Sequence, residues 1–360
     1  MESIPAFIQT GQMLRQALSV GAFPSYAAAV GTHESILFKR IEGDAAVWPV
    51  RRPAGESTRY DLTSLSKWLA TTLVALRLID QGKLDLDHSI NRYMDVPNDK
   101  TAVTIRHLLC HTAGFEAHFM LRNGIAPPQD AAKEILSQPL AGRPGQQVIY
   151  SCMGFILLGR LLEQISGRQL DQLAHEWIFQ PLGMTGTGYR PISGSFSKST
   201  AGSVAATELD PLSGHHICGQ VHDENARFLG GVSGNAGVFA PLSDLILIAR
   251  CMLNRGQGLI TPELFDLMIM NWTEGLNQAR GLGVVLWPKE AHNADHPFYR
   301  TGAFGHTGFT GTSMVISPEQ GFYFILLTNR VHFGRNLPIM PDYRTRFHEA
   351  ALNDVKTLHP

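Results

Sequence analysis

The chain has 360 residues, 44% of them apolar and 17% charged, with a formal net charge of −1. This is the balance of a globular protein with one large core or two coupled lobes, and it offers no basic face for nucleic acid or an anionic membrane. The start, MESIPAFIQTGQMLRQ, lacks a basic segment followed by an apolar one, and apolar runs such as GFYFILL are far shorter than the ~20 residues of a membrane span, so a soluble, cytoplasmic protein is expected.

In chain order, SYAAAVGTHESILFKRI (25–41) predicts two short strands joined around Gly31 to Ser35. Trp68, Leu69, Leu73, Leu76 and Ile79 then recur at helical spacing, with Gly82 as a stop. GFILLGRLLEQISG (154–167) and PLSDLILIARCMLNRG (241–256) repeat that pattern, the second with Ser243 as the expected N-cap. The Gly-, Ser- and Thr-rich stretch 186–220 reads as a long surface excursion. Near the end, TSMVISPEQGFYFILLTN predicts two more strands around a Pro-Glu-Gln-Gly turn. Strands at both ends and helices between them predict an α/β (α+β) fold. Its antiparallel sheet is built from both chain termini, in an α/β lobe of about 1–80 plus 240–360, with a mainly helical lobe of about 81–239 inserted.

Four cysteines, Cys110, Cys152, Cys218 and Cys251, have no C-x-x-C spacing, so reduced thiols are expected. His107 and His111, four apart with Cys110 between them, are possible metal ligands, but a histidine pair held by hydrogen bonds at a helix end is the stronger reading and no metal is expected. There is no G-x-S-x-G, no P-loop and no G-x-G-x-x-G; GGVSGN comes nearest to the first and lacks its final glycine.

The stretch TSLSKWLATT (63–72) places Lys67 three residues after Ser64, and on a helix the two share a face. A desolvated lysine with a lowered pKa can take the proton of a serine hydroxyl, and a helix N-terminus favours the developing alkoxide. Ser64 as a cap with Lys67 in solvent is the competing reading. VIYSCMGFILLG (148–159) puts Tyr150 and Ser151 before a helix, and GHTGFTGTSMVIS (305–317) puts His306, Thr307 and Gly308 on a strand.

With these motifs in this order the sequence resembles the serine hydrolases of the penicillin-binding-protein and class C β-lactamase family, including the family VIII carboxylesterases. That family carries S-x-x-K, then Y-x-N or Y-S-x, then K-T-G or H-x-G. LIDQGKLDLDHSINRYM, TIRHLLCHTAGF, FQPLGMTGTGY and VHDENARFLGGVSGNAGVF resemble family stretches too, so the likeness runs over roughly residues 20–335. It implies an acyl-enzyme on Ser64, with Lys67 and Tyr150 sharing proton transfer and no cofactor. It also implies an oxyanion hole of the Ser64 and Phe309 backbone N–H groups. His306, Thr307, Gly308 and Cys152 are implied as substrate-binding, and Ser66, which matches an S-x-S-K variant, as a supporting hydrogen-bonder. Tyr150 serves as base only if cations lower its pKa, and Lys67 is the first candidate for that.

Two departures bear on substrate. His306 stands where class C β-lactamases have lysine, and Cys152 where they have asparagine, which weakens the case for β-lactam hydrolysis. A carboxylesterase on small esters is the expected function. The alternatives are a β-lactamase or a D-amino-acid peptidase or amidase on peptidoglycan-type substrates, and behind them a non-turnover penicillin-binding sensor. The expected partner is thus a small ester, amide or β-lactam, with no nucleic acid and no membrane. His222 and Asp223 either reach the site or staple a loop, and FEAHFMLRNGIAPP (115–128) is either an apolar lip, through Phe115, Phe119 and Met120, or plain core and loop.

Overall fold

The structure is a computed structural model, and it describes residues 7–121, 127–189, 204–288, 297–298, 301–335 and 340–358. Residues 122–126 of the expected lip and 190–203 of the expected surface excursion lie outside the described residues.

A seven-stranded antiparallel sheet organises the fold. Its order is Arg52–Pro53, Ile36–Ala46, Ser25–Gly31, Phe322–Thr328, Ser313–Ser317, Ala303–Thr307, Val285–Trp287. The seam between the chain ends is the pairing of Ser25–Gly31 with Phe322–Thr328, in the register Ala28 to Leu326 and Val30 to Phe324. Every residue of these two strands is buried, so neither shows the apolar–polar alternation of a sheet with one wet face. Their alternation divides two cores instead. Tyr26, Ala28, Val30, Phe324 and Leu326 face the terminal helices Ile8–Ser19 and Met340–Leu358 and pack with Leu14, Phe347 and Ala351. Ala27, Ala29, Ile325 and Leu327 join the larger core with Leu69, Leu73, Leu245 and Phe304.

Between the sheet-forming segments lie the helices Leu73–Asp80, Cys152–Ser166, Leu242–Leu253 and Pro262–Ile269. Leu242–Leu253 is entered through Pro241 with no side-chain cap; Ser243 sits inside its first turn and donates to Asp244 Oδ1 at 3.3 Å, so the expected Ser243 cap is not formed. The proline supplies the extended entry without needing an N–H. Val204 to Thr207 are buried and hydrogen-bonded to Arg59 and Ala45, which makes this part of the 186–220 stretch interior, not surface. A small sheet of Tyr60–Asp61, Val238–Ala240 and Gly188–Tyr189 leads the chain from the large sheet into the turn that carries Ser64.

One backbone contact bears directly on that region. A Cβ at Gly234 would lie 1.9 Å from the Phe155 carbonyl oxygen and 3.0 Å from Gly159 Cα. Neighbouring atoms of the same loop are used elsewhere: the Gly234 carbonyl accepts from Thr71 Oγ1 at 2.7 Å and the Asn235 carbonyl from Lys67 Nζ at 3.0 Å. Gly234→Ala is expected to lower unfolding free energy by about 2–3 kcal/mol through overpacking, and to lower activity as the Asn235 carbonyl is displaced. Urea unfolding beside a turnover assay checks this; a variant as stable and active as wild type contradicts the close packing.

Candidate active site

The turn bearing Ser64 is fixed from below by a buried carboxylate. Asp61 accepts from the Thr63 N–H at 2.9 Å and from the His222 N–H at 2.7 Å, and it is almost fully buried. Between Asp61 and Ser64, Thr63 has φ of 45°, a left-handed conformation that a threonine adopts only when its surroundings impose it. The surroundings are the hairpin 303–317. Thr310 Oγ1 donates to the Asp61 carbonyl at 2.7 Å and Thr312 Oγ1 to the Leu62 carbonyl at 3.2 Å. Gly308 fits because it has no side chain: a Cβ there would lie 2.1 Å from Thr312 Oγ1 and 2.4 Å from Thr63 Oγ1.

Ser64 precedes a helical segment whose residues Lys67–Thr72 are π-helical, a local geometry often found at functional sites. Lys67 is fully buried, which removes the reading that it points to solvent. Its Nζ reaches three acceptors: Ser64 Oγ at 3.2 Å, the Asn235 carbonyl at 3.0 Å and Cys152 Sγ at 3.5 Å. An ammonium has three N–H donors, so the geometry suits the charged form. Burial alone would lower its pKa, but the nearby Cys152 and Tyr150 outweigh that and hold it above the ordinary lysine value. The expected lysine with a lowered pKa is therefore corrected: desolvation is present, and its effect is overcome by the acceptors around the ammonium.

Tyr150 stands beside this ammonium, with Lys67 Nζ 5.1 Å from its ring centroid. The buried imidazole of His111 lies against the ring at 4.5 Å between centroids, and that of His306 at 6.0 Å. His111 Nδ1 accepts from the Ser151 N–H at 3.0 Å, which leaves the proton on Nε2. His306 Nδ1 donates to the Thr307 carbonyl at 2.8 Å, which leaves Nε2 as a buried acceptor with no partner among the described residues. Burial, then Lys67 and Arg280, push His306 down to about 3, so it is neutral at any working pH.

These groups open onto a cleft of about 310 Å³ whose lining includes Ser64, Tyr150, His306, Thr307, Gly308 and Phe309. The Ser64 and Phe309 N–H groups donate to no protein acceptor among the described residues, so they are available to a ligand. Cys152 lies against Lys67 instead of on the cleft wall, as the first residue of Cys152–Ser166. Burial raises its thiol pKa, but the Lys67 ammonium and a hydrogen bond with His118 hold it below the ordinary range. Ser66 is fully buried and accepts from the Val238 N–H at 3.1 Å, tying the Lys67 segment to the small sheet.

Sequence reasoning missed three arginines that line the same cleft, Arg280, Arg330 and Arg344. They lie in a loop, after the last strand and on the terminal helix, in stretches with no motif of their own, so only the fold brings them together. None of the three forms an ion pair with a carboxylate among the described residues. Arg330 Nε donates to the Phe309 carbonyl at 2.8 Å and Arg344 to the Gly308 carbonyl at 3.4 Å. Burial and the neighbouring Arg330 push Arg344 down to about 10, still cationic at neutral pH.

Other candidates have structural roles. His222 bonds Glu208 at 2.9 Å, and Asp223 caps Glu224–Phe228 by accepting from the Ala226 N–H at 2.8 Å, so both staple the loop beside Phe309. His107 closes a capping box with Thr104, and no group of three or more possible metal ligands occurs among the described residues. Phe115 is core and not lip, and Phe119 packs against the core. Cys110 and Cys251 are buried, whereas Cys218 is half-buried near Arg52.

The chain belongs to the Beta-lactamase family, whose model matches residues 12–347. It is 32% identical to a protein of Escherichia coli (strain K12) provisionally named D-alanyl-D-alanine carboxypeptidase, over 90% of this chain and 82% of the relative. Its fold is similar to EstCE1, described as a hydrolase with promiscuous acyltransferase activity (TM-score 0.73, 22% identity, 95% of this chain and 97% of that one). It is also similar to the octameric penicillin-binding protein homologue of Pyrococcus abyssi (TM-score 0.75, 20% identity, 96% and 77%). No helix among the described residues is long and apolar enough to cross a membrane.

Asp61 supplies a pH signature of this site. Burial raises its carboxyl from 3.8 to about 6, against the opposing hydrogen bonds from His222 and Thr63. A folded-state pKa above the unfolded one stabilises the fold fully below pH 3.8, and the contribution is lost as pH rises through about 6. Wild-type stability relative to that of Asp61→Asn is expected to fall by about 2 kcal/mol between pH 4 and pH 7. Urea unfolding across that range measures it, and a difference that does not change with pH contradicts the assignment.

Proposed function

We propose that this family member is an acyl-enzyme serine hydrolase whose substrates carry a free carboxylate near the scissile bond, as in a D-amino-acid carboxypeptidase. Ser64 Oγ attacks the carbonyl carbon and its proton passes to Tyr150, held as a phenolate. Lys67, already an ammonium, positions the Ser64 oxygen and steadies the phenolate electrostatically. The carbonyl oxygen takes up the negative charge against the Ser64 and Phe309 N–H groups. As the tetrahedral intermediate collapses, the Tyr150 hydroxyl protonates the leaving nitrogen or oxygen, and the acyl group stays on Ser64. Water then attacks the ester carbon as Tyr150 takes its proton, and Tyr150 returns that proton to Ser64 Oγ as the second tetrahedral intermediate collapses, which frees the acid and regenerates Ser64 and the phenolate.

The observation that carries the carboxylate preference is the pair Arg330 and Arg344, lining the cleft beside Gly308 and Phe309 with no acidic partner among the described residues. Cations held without a counter-ion in a cleft mark a place for an anionic ligand. The positive charge that His306 does not supply is thus available from neighbouring residues. The relative named as a D-alanyl-D-alanine carboxypeptidase supports the same class. A small-ester carboxylesterase is the second reading, favoured by the neutral His306 and by Cys152 in place of an amide side chain.

The test compares a D-Ala-D-Ala-terminated peptide with its C-terminal amide, and p-nitrophenyl butyrate beside both. The free acid is expected to have a kcat/KM at least about tenfold above the amide, the worth of one charge-assisted hydrogen bond, and Arg344→Gln is expected to remove that advantage. Equal rates on acid and amide, with fast ester turnover, would overturn the carboxylate reading in favour of the esterase.

A further inference from the structure

Two cations lie over the Tyr150 ring. Lys67 Nζ is 5.1 Å from its centroid and the Arg280 guanidinium carbon 5.7 Å. Arg280 is almost fully buried. It is anchored by its backbone N–H to Thr273 Oγ1 at 2.8 Å and by Nη2 to Gln278 Oε1 at 2.7 Å, both neutral acceptors. Its Nε has no partner and its charge no carboxylate among the described residues. A guanidinium in that setting is electrostatically uncompensated, and the groups near it that favour its charge are Tyr150 and Cys110. Cys110 is a buried thiol pushed up to about 12, so it stays neutral and Tyr150 is the one able to respond.

The other groups around the ring do not take this role. His306, on the strand Ala303–Thr307, and His111, after the helix Ile105–Leu109, are both held neutral by burial and by the neighbouring cations. Cys152, at the start of Cys152–Ser166, and Ser64 approach Lys67 and bring no positive charge. Arg330 and Arg344 sit by the Phe309 and Gly308 carbonyls. We infer that Arg280 is the second cation that holds Tyr150 as a phenolate, a positioning residue that supplies from the loop before Val285–Trp287 the charge that His306 does not. An arginine suits the task because its charge persists when it is buried. The inference rests on Tyr150 being the base of the proposed mechanism.

The experiment is the pH dependence of kcat/KM on p-nitrophenyl butyrate, a neutral ester that removes any effect of carboxylate binding. It is run on wild type, Arg280→Lys, Arg280→Gln, the double variant Arg280→Gln/His306→Lys, and Tyr150→Phe. In Arg280→Gln the acid limb is expected to move up by about one pH unit, because the phenolate loses an opposite charge. In Arg280→Lys the limb stays near that of wild type. The double variant restores a cation beside the ring and brings the limb back; if Arg280→Gln does not fold, Arg280→Met read against Arg280→Lys makes the same test. A fall in kcat/KM at all pH values with the limb fixed in Arg280→Gln, or a limb in Arg280→Lys that moves as far as in Arg280→Gln, would overturn the role of Arg280. If either occurs while Tyr150→Phe is inactive, the base assignment stands without Arg280. A fully active Tyr150→Phe overturns the base assignment and Arg280's role together.

Discussion

Three hydrogen bonds from one buried ammonium hold this site together. Lys67 Nζ reaches Ser64 in its own segment, Cys152 at the start of a long helix and the Asn235 carbonyl in a glycine-rich loop. A fully buried charge is tolerated only where its donors are satisfied, so these elements are fixed relative to one another by the need to solvate it. The close packing of Gly234 on Phe155 and the bond from Thr71 to the Gly234 carbonyl bring the third acceptor into reach. A lysine engaged in this way keeps its proton.

Asp61 does for the other side of Ser64 what the three acceptors do for Lys67. Its carboxylate collects two backbone N–H groups, one from the Thr63 turn and one from the His222 loop, while the hairpin threonines bond the carbonyls of Asp61 and Leu62. The left-handed Thr63 is held by these contacts and by the glycine pressed against it. The Ser64 turn and the strand carrying His306 and Thr307 are therefore one packed unit.

Much of this was legible in the sequence because local signals carried it. The terminal strands, the helix stopped near Gly82 and the Ser64, Lys67, Tyr150 and His306 motifs each depend on neighbours a few residues apart. What was not legible depends on residues far apart in the chain. The charge state of Lys67 is set by Tyr150, Cys152 and Asn235, and spacing from Ser64 says nothing of them. Arg280, Arg330 and Arg344 converge from three separate stretches, and Asp61 meets His222 from a distance of more than a hundred residues. His306 in place of lysine reads in sequence as a loss of positive charge, whereas in the fold three arginines line the same cleft. Ser243 failed as a cap for a local reason, because Pro241 had already set the helix entry.

The central claim is that Ser64, served by Lys67 and Tyr150, carries the acyl group. The most direct test is to quench the protein with acid a few milliseconds after mixing with p-nitrophenyl butyrate, then locate the adduct by peptide mapping. The account predicts one butyryl group, on Ser64, as an oxygen ester that resists neutral hydroxylamine. A butyryl thioester on Cys152, whose thiol lies 3.5 Å from the same ammonium, would contradict it, as would turnover with no adduct at all in Ser64→Ala at wild-type rates.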